Sequence, residues 1–77
     1  MISDELKHRA KDYLEKREAQ ELDHTDPDLN YYRSEAHESL MMQMRIDGIE
    51  FEDREHAAQI AMDIVAGDYL PEWNNGH

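Results

Sequence analysis

An all-α domain of three short helices is what this sequence predicts, on three observations. Cap signals stand ahead of each apolar run, at Ser3, at Asp26-Pro27 and at Asp53. Apolar side chains after those caps return at three- and four-residue steps. Only three glycines and two prolines occur in 77 residues, and Gly48 and Gly67 stand where the second and third runs stop.

The first helix is expected over about residues 4–22. Ser3 can accept a bond from an otherwise orphaned N–H, and Asp4 and Glu5 sit where the helix dipole favours negative charge. Leu6, Ala10, Tyr13 and Leu14 share one narrow apolar face. The rest is charged, and Glu5/Arg9, Lys11/Glu15, Asp12/Lys16 and Arg17/Glu21 are spaced four apart for ion pairing.

A second helix is expected over about 27–46, because Asp26 before Pro27 reads as an N-cap followed by the first helical position. Leu29, Tyr32, Ala36, Leu40 and Met44 mark its inward face. An α+β alternative stays open at its end. Met42, Met44 and Ile46 alternate with polar residues before Asp47-Gly48, and Ile49 and Phe51 alternate after it, which is a β-hairpin pattern. The helix formers between Glu35 and Arg45 favour helix, glycine stop and loop.

The third helix, over about 54–66, is the most apolar: Ala57, Ile60, Ala61, Ile64 and Val65 form a stripe worth roughly 1.5–3 kcal/mol for each large side chain buried. In the tail, 68–77, Tyr69, Leu70 and Trp73 are expected to fold back over the core. Residues 1–77 thus make one small acidic domain, which buries only about 60–65% of its unfolded surface. Homodimerisation is one way to supplement so small a core.

Charge narrows the function. Residues 1–22 hold six acids and five bases, whereas residues 23–77 hold thirteen acids and three bases, net −10. Such a field steers the chain toward basic surfaces and away from nucleic acid and anionic lipid. No apolar run exceeds three residues, charges begin by Asp4 and Lys7, and there is no cysteine, so the expectation is a cytoplasmic protein without disulfide or thiolate chemistry.

No enzyme is expected, since neither a glycine-rich phosphate loop nor a nucleophile elbow surrounds Ser3, Ser34 or Ser39. Metal and cofactor binding are not expected either. Asp26, Asp28 and Asn30 begin like a calcium loop, but Tyr31 stands where the turn needs glycine and His37 where a bidentate glutamate is needed. Glu5/His8 and Glu21/His24 each have di-iron spacing, yet lie roughly 24 Å apart along one helix, so only an antiparallel dimer joins them.

The expected site is therefore a partner-binding surface of carboxylates: Asp26, Asp28, Glu35 and Glu38 along the second helix, and Asp47, Glu50, Glu52, Asp53 and Glu55 around the following connection. Isolated ion pairs contribute only about 0–1 kcal/mol, so Tyr31, Phe51 or a methionine must add apolar contact. Of the flexible thioethers, Met44 is expected on the inward face, whereas Met41 and Met42 point partly away from it and suit a dimer contact.

In size, lack of cysteine and charge, concentrated in runs such as Asp47 to Glu55, the chain resembles the acidic DNA-mimic inhibitors that bacteriophages direct against host proteins. That resemblance implies a role in host takeover in the bacterial cytoplasm. The implied partner is a basic DNA-binding protein, an HU-like nucleoid protein first, with RNA polymerase or a nuclease as further targets. The competing reading is a small helical adaptor or antitoxin-like regulator that binds through its methionines and aromatics.

Overall fold

A computed structural model describes residues 2–69 as three helices: α1 (Asp4–Leu22), α2 (Pro27–Ile46) and α3 (Arg54–Ala66). Each begins at the expected cap. Ser3 Oγ accepts the Leu6 N–H at 3.1 Å, Asp26 the Asp28 N–H at 2.9 Å and Asp53 the His56 N–H at 2.8 Å. Glu5–Arg9, Asp12–Lys16 and Arg17–Glu21 close as ion pairs along α1, but Lys11–Glu15 does not.

The hairpin alternative at Asp47-Gly48 does not form, and no strand occurs among the described residues. Gly48 takes a φ of 78°, its N–H donates to the Arg45 carbonyl at 3.2 Å, and the Ile49 N–H donates to the Met44 carbonyl at 2.8 Å. Those two bonds are a Schellman closure, which uses the donor that a cross-strand ladder needs. Gly67, at φ 81°, ends α3 the same way, with the Asp68 N–H on the Asp63 carbonyl at 2.8 Å.

Four contacts establish α1 and α2 as an antiparallel pair: Ser3 with Asp47, Arg9 with the Ser39 carbonyl, Tyr13 with His37, and Gln20 with Asn30. α3 lies across one end. With thirteen residues it spans about 20 Å, against about 30 Å for the twenty of α2, so it covers part of the hairpin only. Every buried residue of α1 lies between Leu6 and Tyr13, and every one of α2 between Ala36 and Met44. Residues 14–35 form a two-helix arm with none.

The core comprises Leu6, Ala10, Tyr13, Ala36, Leu40, Met41, Met44, Ala57, Ala58, Ile60, Ala61 and Ile64. Five of these are alanines, which let the helices approach closely but bury little area each. Several expectations are corrected. Tyr32 is 49% exposed and Val65 47% exposed, and Leu14 and Leu29 are only half-buried. Met41 is buried, whereas Met42 is 58% exposed on the outward side of α2. Tyr69 does pack against the core as a half-buried residue; Leu70 and Trp73 lie outside the described residues.

One ionisable group lies in this core. His37 stacks on Tyr13 with 4.6 Å between ring centres, and its Nε2 is 2.9 Å from the Arg54 carbonyl oxygen. Burial pushes the imidazole down from its ordinary value; the Arg54 carbonyl opposes that, the Arg54 and Arg33 guanidiniums add to it, and Glu38 opposes. The neutral ring with the proton on Nε2 satisfies that carbonyl and leaves the buried Nδ1 without a partner.

Leu40→Ala should cost about 2–5 kcal/mol in urea unfolding, a large share of the stability of so small a domain, while Met42→Ala should stay within about 0.5 kcal/mol. Equal costs would contradict the burial described. For His37 the native proton affinity is the lower one, so its contribution is complete above the ordinary imidazole value of 6.5 and is lost as pH falls below it. The native chain should therefore lose stability relative to His37→Gln between about pH 7.5 and about pH 5.5; parallel pH profiles for the two would remove that linkage.

Candidate functional site

The helical repeat places Asp28, Tyr31, Glu35, Glu38, Met42 and Ile46 along the outward side of α2, and all six are exposed, as is Tyr32 at the edge of the inward arc. The chain then turns at Asp47-Gly48 and passes back along the last turn of α2. Phe51 lies beneath the Arg45 guanidinium at 5.3 Å, and Ile49 and Phe51 pack against the core. Glu50, Glu52, Asp53 and Glu55 stay exposed on the connection and on the first turn of α3. The nine carboxylates expected to bind a partner thus occupy one helix face and one connection.

Five of the nine already have intramolecular work. Asp47 Oδ2 accepts the Ser3 N–H at 3.0 Å and the Ser3 hydroxyl at 2.7 Å, and its Oδ1 accepts the Gln43 amide at 3.0 Å. The Ser3 bonds, side chain then backbone, hold this carboxyl below its ordinary range. Because Ser3 Oγ also caps α1, one serine joins the start of α1 to the end of α2. Asp26 and Asp53 are the N-caps of α2 and α3. Glu38 pairs with Arg54, whose hydrogen bond lowers its pKa. Glu35 accepts the Tyr31 hydroxyl at 2.6 Å, a bond that raises the phenol's pKa.

Asp28, Glu50, Glu52 and Glu55 are different: their carboxylates have neither hydrogen bond nor ion pair among the described residues. Glu52 is tied only through its backbone, whose N–H donates to His56 Nδ1 at 2.9 Å, so its side chain is held outward on an ordered turn. These four can exchange water for a cation of another molecule without first breaking a bond. Exposed Met42 and Ile46 lie at the same end of α2 as Glu50 and Glu52, while exposed Tyr31 and Tyr32, edge to face at 5.8 Å, lie on the arm with Asp28. Phe51, expected as an apolar contact, is half-buried, so Met42 and Ile46 supply the available apolar surface there.

Sequence reasoning missed two features. Asp47 meets Ser3 across 44 residues, a separation at which no local pattern signals a bond. His37 falls four residues after Arg33 and three before Leu40, so its place on the inward arc was visible in the spacing. Among the described residues no three His, Asp or Glu side chains converge as metal ligands, and no helix is long and apolar enough to cross a membrane.

No protein-family model, curated protein or solved structure matches the chain.

Asp47→Ala should destabilise the fold by about 1–2 kcal/mol in urea unfolding at neutral pH. Since the native carboxyl is the stronger acid, this contribution is complete above the ordinary value of 3.8 and fades as pH falls below it. The gap between native chain and variant should therefore narrow toward about pH 2, and a pH-independent gap would mean that the charge on Asp47 is immaterial.

Proposed function

We propose that the chain is a DNA-mimic inhibitor, which fills the DNA-binding surface of a basic protein and so blocks DNA binding. The observation that carries this reading is the set of exposed carboxylates without partners among the described residues, Glu50, Glu52 and Glu55, with exposed Met42 and Ile46 on the preceding helix. Duplex DNA offers about one negative charge per 1.7 Å of axis, and its binders meet it with a basic groove. Carboxylates on a capped turn present the same sign of charge without bases or sugars. Long-range attraction then brings the partner in, and contact with the methionine and isoleucine slows its departure. A small nucleoid protein of the HU type is the favoured target, with RNA polymerase or a nuclease next.

A second reading has its own observation. Leu22, Tyr31 and Tyr32 are exposed on the arm, and Met42 and Ile46 at the far end of α2, apolar side chains that a helical adaptor could offer to a partner. Salt separates the two, because the Debye length falls from about 10 Å at 0.1 M to about 3 Å at 1 M.

The decisive experiment pits the protein against duplex DNA for an HU-like protein, in a fluorescence-anisotropy competition at low and high salt. The triple change Glu50→Lys, Glu52→Lys and Glu55→Lys spares the caps and Asp47, so it should fold, and it should weaken competition about tenfold or more. A folded triple variant that competes as well as the native chain sinks the DNA-mimic reading. A complex that survives 1 M salt and ignores DNA favours the adaptor.

A further inference from the structure

A groove of about 770 Å³ runs between the arm and α3, and each helix sends one arginine to it: Arg17 from α1, Arg33 from α2 and Arg54 from the start of α3. Tyr13, His37 and Ala58 lie on its floor side. The chain has eight lysines and arginines against nineteen acids, so three guanidiniums lining one concavity run against the sign of the molecule. We propose that this groove binds a small multivalent oxyanion, a di- or tricarboxylate or a phosphate ester, with Arg33 as the principal anchor and Arg17 and Arg54 flanking it.

Arg33 is the anchor because its charge is uncommitted. It meets only the Asn30 side-chain oxygen, at 3.2 Å, and forms no ion pair among the described residues. Arg17 is loosely held, 3.6 Å from Glu21 and against the Met62 sulfur at 3.7 Å, and Arg54 is paired with Glu38. A guanidinium fork matches a carboxylate or phosphate in two parallel bonds. Glu21 and Glu55 on the walls oppose a single weak anion. Occupancy therefore requires a ligand with more than one negative charge that engages more than one arginine.

His37 supplies the second, independent observation. It is 4% exposed, lines the groove, and carries the one buried side-chain nitrogen or oxygen among the described residues that lacks a partner, Nδ1. The groups that face it are Tyr13 from α1, Arg33 and Glu38 from α2, and Arg54 from α3. Both guanidiniums disfavour a second positive charge there. An anion seated between them offsets that field, so the imidazole gains a proton more readily when the groove is filled. Ligand binding and proton uptake at His37 are thereby linked.

The inference differs from the DNA-mimic reading in the sign of its ligand, and the two surfaces adjoin at Glu55, on the groove wall, and at Arg54, which is paired with Glu38. The test is a nuclear magnetic resonance titration of the full chain with citrate and with inorganic phosphate, following the His37 ring and the Arg33 guanidinium, against sodium chloride at matched ionic strength. Saturable shifts that chloride does not produce, with the His37 titration midpoint moved upward, are expected. Arg33→Gln should weaken citrate binding about tenfold, and Arg17→Gln should weaken it less, in variants whose circular dichroism matches the native chain. Shifts reproduced by chloride, or unchanged citrate binding by folded Arg33→Gln, would overturn the site. Saturation that leaves His37 unmoved would overturn the proton linkage.

Discussion

The length of α3 is the constraint on which the rest of the structure depends. A thirteen-residue helix lies across a hairpin half as long again, so only one end of that hairpin is sealed from water. The core is confined to Leu6–Tyr13, Ala36–Met44 and the inward side of α3. The arm of residues 14–35 is left with half-buried Leu14 and Leu29 and with Leu22, Tyr31 and Tyr32 in solvent. The groove lies between that arm and α3, lined by Arg17, Gln20 and Arg33 on one side and Arg54, Ala58 and Met62 on the other.

A core so small and so rich in alanine places weight on polar closures at the helix ends. Three N-caps, two Schellman closures and the Ser3–Asp47 clamp satisfy backbone groups that would otherwise face water unpaired. This divides the acids into two populations. Asp26, Asp47 and Asp53 hold the fold together, and Glu35 and Glu38 are engaged with neighbouring side chains. Asp28, Glu50, Glu52 and Glu55 have carboxylates with no hydrogen bond among the described residues. Net charge attracts a basic surface from a distance, but only the second population can meet it at contact without loss to the fold.

The cations are divided just as unevenly. Arg9 and Lys16 serve pairs within α1, and Arg45 covers Phe51. Arg17, Arg33 and Arg54 converge from three helices beside a buried neutral histidine. A molecule with a strongly negative exterior thus keeps a small positive concavity.

What the sequence by itself determined is local. The starts at Ser3, Asp26 and Asp53 and the stops at Gly48 and Gly67 were legible because caps and left-handed glycines act within four or five residues, a range that spacing encodes. The inward residues Leu6, Ala10, Leu40, Met44, Ile60 and Ile64 followed from helical period for the same reason. The stretch from 42 to 51 carried both a helical and an alternating period, and burial of Met41 and Met44 against the other helices chose between them. Only the tertiary structure decided that Tyr32 and Val65 are exposed, because a residue at the edge of a helical stripe is buried only where a neighbouring helix lies over it. It alone decided which carboxylates are free and where the arginines meet, since the bonds that settle this join residues 16 and 44 apart, and contacts at that range are fixed by the packing of whole helices.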